Sequence, residues 1–147
     1  MSYISDSKAV VGKALGIDYG TKRTGIAITD SLQLIALGLT TVSTHLLDDF
    51  ICQLLESEEI DVFVIGDPKN LDGSKTDNTG HVNSFIKRLK EKYPEIPTQR
   101  IDERFTSKIA KQSILASGVN KKVRRNRELI DKVSATIILQ DYLDYKK

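Results

Sequence analysis

The sequence predicts an α/β fold: one mixed sheet, antiparallel where the chain opens and alternating with helices afterwards, covered by helices. Three observations carry this reading. Two β-rich runs, Ala14-Leu15-Gly16-Ile17 and Gly25-Ile26-Ala27-Ile28-Thr29, are joined by a short polar turn, Gly20-Thr21-Lys22-Arg23, as in a hairpin. The continuous apolar run Asp61-Val62-Phe63-Val64-Ile65-Gly66 has the composition of a strand buried on both faces. Before and after it, apolar residues recur at helical spacing, and strands that alternate with helices build a sheet flanked by helices.

The elements follow in order. Leu39 to Ser43 is a third strand. Thr44 reads as the N-cap of a first helix, with Asp48 and Asp49 at its positive end; Leu47, Phe50, Ile51, Leu54 and Leu55 share its apolar face. The apolar strand from Asp61 is followed by a polar stretch, 67–80, long enough to be functional rather than a mere connection. Val82, Phe85, Ile86 and Leu89 define a second helix ended by Pro94, and Pro97 to Ile101 is a short strand leading into Asp102-Glu103-Arg104. Thr106 or Ser107 caps a third helix, which Gly118 terminates. A basic segment from Asn120 to Arg127 precedes a last helix over Glu128 to Tyr142.

Composition narrows the function classes. The length, 147 residues, suits a single domain over residues 1–147. The 22 Lys and Arg nearly balance the 20 Asp and Glu, so charge placement, and not net charge, must speak for or against a polyanionic partner. A lone cysteine, Cys52, excludes a disulfide framework and fits the cytoplasm. No apolar run approaches the roughly 18 residues of a membrane span, and no signal peptide is expected.

Three acidic sites stand out. Asp18 interrupts an apolar strand, where an isolated carboxylate is costly to bury. Gly16 and Gly20 flank it and leave room for a ligand; a strand-end aspartate satisfied by turn amides is the plainer alternative. Asp131 shares a helix face with Ser134, Ala135, Ile138 and Tyr142, beside a core face of Ile130, Val133 and Ile137. Ser134 and Ala135 are small enough to let that helix lie close to a sheet, though a solvated acid near a helix N-terminus is also consistent. Asp102-Glu103 is the third site. Strand alternation groups Glu103 with Ile101, on the interior side, and Asp102 with Arg100, on the solvated side. Carboxylates gathered from such separate places need cations, and hard divalent metals with oxygen ligands suit them. Paired Mg²⁺ or Mn²⁺ ions held this way serve in-line displacement at phosphorus. Lys121, Lys122, Arg124, Arg125 and Arg127, with Lys108, Lys111 and Lys132 able to flank them, then read as a phosphate-backbone clamp and not merely a solvated loop. His45 and His81 lack partners at ligand spacing and read as surface or capping residues; Cys52 reads as a small core residue. No zinc pattern, Ser-His-Asp order or Walker loop is present.

Four segments, taken together and in order, resemble the YqgF family: Gly16-Ile-Asp18-Tyr-Gly20-Thr-Lys-Arg-Thr-Gly25-Ile-Ala, Gly66-Asp-Pro68-Lys-Asn-Leu-Asp72-Gly73, Asp102-Glu103-Arg104-Phe-Thr106 and Asp131-Lys-Val-Ser-Ala135. These are RNase H-like proteins regarded as Holliday junction resolvases and as nucleases that process the 5′ end of pre-16S ribosomal RNA. The resemblance runs from about Lys13 to Tyr145. It implies an RNase H-like fold, a catalytic and metal-binding triad of Asp18, Glu103 and Asp131, and a cytoplasmic role in rRNA maturation. The chain departs from the family at Asp67, where an apolar residue is usual, which adds negative charge beside the long loop. Glu128, three residues before Asp131, is either a fourth ligand or a simple helix N-terminal acid.

The leading expectation is thus a hydrolase, an endonuclease using Mg²⁺ or Mn²⁺, with two ions, on structured nucleic acid. Lys22, Arg104 and the loop from Lys121 to Arg127 hold the backbone. The substrate is pre-rRNA or branched DNA, ribosomal precursor particles are possible partners and no membrane is involved. The state is a monomer or a homodimer, the latter required of a resolvase that makes two symmetric cuts. Two other classes compete. Asp18-Tyr-Gly-Thr21 is similar to the first phosphate motif of the actin, hexokinase and sugar-kinase superfamily, but those proteins face two such domains across ATP. A non-catalytic RNA-binding or ribosome-assembly module is the third, against which intact carboxylates at all three positions argue.

Overall fold

The expected hairpin opens the sheet: β1 (Lys13–Asp18) pairs antiparallel with β2 (Arg23–Thr29), with Asp18 opposite Gly25. The computed structural model of the protein describes residues 12–68, 77–102 and 126–146. β3 (Ala36–Ser43) pairs antiparallel with β2 and begins three residues earlier than the sequence pattern suggested. A 3₁₀ turn (Thr44–Leu46) leads into α1 (Leu47–Ser57). β4 (Ile60–Asp67) then lies parallel to β1, α2 (Thr79–Lys92) follows, and β5 (Thr98–Asp102) lies parallel to β4. The last described element is α3 (Arg127–Tyr145). The strand order is β3-β2-β1-β4-β5, so the mixed sheet expected from the sequence is the one observed. The helix expected from Thr106 to Gly118 lies outside the described residues.

Alternation along the strands sorts the core onto two faces. Leu15, Ile17, Ile26, Phe63 and Ile65 pack with Leu47 and Ile51 of α1 and with Val82, Phe85, Ile86 and Leu89 of α2. Ala14, Ala27, Ala36, Val62 and Val64 pack on the other face with Ala135, Ile138, Leu139 and Leu143 of α3. β4 feeds both clusters, which is why its run is apolar without a break.

The α3 face is paved with small residues. A methyl on Gly25 would overlap the Asp131 carbonyl, one on Gly16 would stand 2.8 Å from Leu139 Cβ, and one on Gly38 2.9 Å from Lys132 Cγ. Together with Ala14, Ala27 and Ala36 they form a floor on which α3 rests with its backbone near the sheet. The room beside Gly16 is therefore filled by α3 and not by a ligand. The core face of α3 is Ser134, Ala135, Ile138, Leu139 and Leu143; Ile130, Val133 and Ile137 are only half-buried, because the small residues, not the larger ones, fit this floor.

Two further expectations are corrected. Thr44 does not cap α1: its hydroxyl donates to Gly20 O at 2.6 Å and bonds Thr24 Oγ1 at 2.9 Å, and its N–H donates to Lys22 O at 2.9 Å. It clamps the β1–β2 turn, which leaves no hydroxyl for the helix amides. Cys52 is exposed, on the outer side of α1, since Leu47 and Ile51 take the buried side.

At an unconstrained strand position Gly→Ala stabilises by about 0.5–1 kcal/mol. Gly25→Ala should instead destabilise by about 1–3 kcal/mol, the usual cost of overpacking, in urea denaturation. A stabilised variant would mean that α3 does not sit this close.

Candidate active site

β1, β4 and β5 run parallel, so their C-terminal ends come to one edge of the sheet and bring Asp18, Asp67 and Asp102 with them. Alternation then separates these three acids. Asp18 follows Ala14 and Gly16 on the α3 face, while Tyr19 packs on the other, its ring stacked on Phe85 at 4.8 Å. Asn78, at the start of α2, donates to Tyr19 O at 2.8 Å, so the residue after Asp18 is held from the opposite side. Asp67 lies on the α2 face, where Arg100 Nη2 reaches it at 2.9 Å and also reaches Asn83 Oδ1 at 2.8 Å. Its extra charge is thus turned away from Asp18. Asp102, in register with Asp67, shares the Arg100 side, whereas Ile101 packs against the α3 cluster. Ile101 and Arg100 thus alternate as the sequence pattern expected, and Glu103 lies outside the described residues.

α3 supplies the second acid of this face. Asn126 caps it, accepting from Leu129 N at 3.2 Å, and Thr41 Oγ1 of β3 donates to Glu128 O at 2.6 Å. These contacts fix the first turn, and the contact with Gly25, the cross-strand partner of Asp18, then sets Asp131 beside Asp18's end of the sheet. Arg23 meets Asp131 here, Nε to Oδ2 at 3.0 Å, both side chains half-buried. Burial pushes the Asp131 carboxyl above its ordinary value, against the pull of Arg23 and Arg127 and with a further push from Glu128. Sequence reasoning passed over Arg23 as a turn residue. The signal was present, since 23, 25 and 27 share a strand face and Gly25 and Ala27 mark that face as the floor for α3.

Glu128 is exposed in the first turn of α3, the place of a helix N-terminal acid. Lys22 is exposed in the hairpin turn, and Arg127 is exposed at the start of α3. Arg104, Lys121, Lys122, Arg124 and Arg125 lie outside the described residues. His45 and His81 are exposed. Among the described residues no three His, Cys, Asp or Glu side chains converge closely enough to hold a metal. The pair that does share a face, Asp18 and Asp131, is all oxygen. Such donors fit a hard divalent cation and suit zinc or copper poorly.

A family model described as "Holliday junction resolvase", RuvX, matches residues 12–145. The chain belongs to this family, the YqgF family of the sequence resemblance. Curated relatives of this RuvX-family chain include a protein of Phocaeicola vulgatus, 48 % identical over 93 % of the chain and 99 % of the relative, and one of Flavobacterium johnsoniae, 47 % identical over 92 % and 98 %. Both bear the name "Putative pre-16S rRNA nuclease". Among solved structures, Thermus thermophilus RuvC bound to a Holliday junction superposes with a TM-score of 0.55, covering 92 % of this chain and 96 % of that one at 13 % identity. This likeness shows the RNase H-like fold.

The raised Asp131 carboxyl has a consequence for stability. A folded-state value above the usual 3.8 means that ionising Asp131 costs the fold free energy, a cost present above the folded value and lost as pH falls through it. Without divalent cations, Asp131→Asn should melt at or above the native temperature at neutral pH. That advantage should shrink on acidification in paired thermal scans; an advantage that grows instead would contradict the burial.

Proposed function

We propose that this protein is a divalent-metal-dependent endonuclease of the cytoplasm that acts on structured RNA, the 5′ region of pre-16S rRNA foremost. What supports it is the placement of Asp18 and Asp131 on one sheet face, with the Asp131 backbone against Gly25, the cross-strand partner of Asp18, Arg23 paired to Asp131, and Lys22 and Arg127 exposed. The names of the relatives direct the reading to pre-rRNA, and the family description keeps junction DNA as the comparison substrate.

Asp18, Glu103 and Asp131 would hold the metal, Mg²⁺ or Mn²⁺. Bound there, divalent ions supply an activated water and stabilise the leaving oxygen. The chain's own part is positional. The strand end fixes Asp18, the glycine floor fixes Asp131, and Lys22, Arg104, Arg127 and the loop of Lys121, Lys122, Arg124 and Arg125 draw the phosphate backbone across them. Arg23 keeps the half-buried Asp131 carboxylate compensated before a cation arrives.

With Mn²⁺ and matched pre-rRNA and junction-DNA substrates, Asp18→Asn and Glu103→Gln should each lose cleavage by orders of magnitude with unchanged circular dichroism. Asp102→Asn should be mild. Active Asp18→Asn protein at saturating metal would remove Asp18 from the site. Replacing Lys121, Lys122, Arg124 and Arg125 by Ala should lower the salt dependence of binding by about 0.7–0.9 log units for each phosphate no longer neutralised; an unchanged slope would return the run to a solvated loop.

A further inference from the structure

Arg23 is the first residue of β2, and its side chain lies on the α3 face with Gly25 and Ala27. Among the described residues it is the one cation bonded to Asp131, and the bond is single, Nε to Oδ2 at 3.0 Å. An arginine that closes its fork on a carboxylate makes two parallel bonds. Here the Nη nitrogens and Asp131 Oδ1 make no hydrogen bond to the described residues. The two side chains are 33 % and 23 % exposed, so water and ions reach both. A one-bond ion pair this open adds little to a fold, and stability is a weak reason for an arginine at this position.

The backbone around Arg23 is held while its guanidinium is not. Arg23 is in register with Ser43 of β3, Thr44 N–H donates to Lys22 O at 2.9 Å, and the Thr44 hydroxyl donates to Gly20 O at 2.6 Å. Gly20 itself lies against Arg23 O, where a methyl group would overlap it. The guanidinium therefore changes place only by its own side-chain torsions and stays at the end of the sheet that carries Asp18 and Asp131. A hard dication taken up by the Asp131 carboxylate faces the guanidinium as a like charge competing for one group. The single bond is the contact that yields. Once free, the planar fork suits a phosphate, which it binds through two donors.

We propose that Arg23 is an exchangeable counter-ion: it holds Asp131 while no cation is bound, and turns to a backbone phosphate of the nucleic acid when a divalent cation takes the carboxylate. This rests on the reading of Asp131 as a metal ligand. Cation and nucleic acid then favour one another. The cation releases a phosphate-binding group, and the phosphate keeps that group away from Asp131, a coupling that is reciprocal by thermodynamic necessity.

Calorimetric titration of the full chain with Mn²⁺, without nucleic acid, tests the first half. Asp131→Ala should abolish binding. Arg23→Gln should tighten it about tenfold, whereas Arg23→Lys, which keeps the competing charge, should stay within about twofold of the native protein. Binding of a labelled stem-loop RNA in metal-free buffer tests the second half. Arg23→Gln should leave the salt dependence of the native protein unchanged. In the Asp131→Ala background, where the guanidinium has lost its partner, the same substitution should lower the slope by about 0.7–0.9 log units, one phosphate contact. Mn²⁺ binding that survives Asp131→Ala would remove the acid from the metal site, and the exchange with it. If Asp131→Ala abolishes binding but Arg23→Gln binds no tighter than native, the metal site stands and the exchange is overturned. Weaker binding by Arg23→Gln would make Arg23 an orienting group for Asp131 and overturn it equally. An equal loss of slope in both backgrounds, or none in either, overturns the release to phosphate.

Discussion

The backbone of α3 rests directly on β2, with the Asp131 carbonyl at Gly25 where any side chain would stand. Without this close approach, ordinary side chains between helix and sheet would hold the two backbones further apart. Glycines and alanines on three neighbouring strands remove that spacing, and Ser134 and Ala135 remove it from the helix side. The apolar area forgone by using small residues is offset by Ile138, Leu139 and Leu143 further along, which are fully buried. The result is an acid held by main-chain packing, which is stiffer than an acid positioned by a side-chain network alone.

Electrostatics sits on top of that packing. A half-buried carboxylate is costly to ionise, and the Asp131 carboxyl, pushed up by its burial, records that cost. Arg23 is the local compensation, and it is delivered by a hairpin turn that Thr44 clamps through Gly20, Lys22 and Thr24. Tyr19, stacked on Phe85 and held by Asn78, fixes the same turn from the other face. Residues far from one another in sequence thus fix the turn that follows Asp18 and the company of Asp131.

The molecule divides its chemistry between two places. The end where β1, β4 and β5 finish gathers acids and cations, while the β3 edge between Asp30 and Asp48 is free of charge. A balanced net charge hides this division, which is why composition alone could decide neither a nucleic-acid partner nor an oligomeric state.

Local pattern determined most of the fold. Alternation, helical spacing and the unbroken apolar run of β4 express which side of each element is buried, and burial is what the sheet and its helices satisfy; the expected order of described strands and helices holds. The same alternation put Ile101 on the interior side and Arg100 on the solvated side, and the observed packing of Ile101 agrees, while Glu103 lies outside the described residues. Pattern failed where two elements distant in sequence compete for one group. Thr44 looks like a helix cap until the β1–β2 turn takes its hydroxyl, and Gly16 looks like ligand space until α3 occupies it. Cys52 looks like core until the sheet chooses which side of α1 to cover. Arg23 could be assigned to a strand face from the sequence, but its partner lies 108 residues away, and only the packing of α3 across β2 brings Asp131 within its reach.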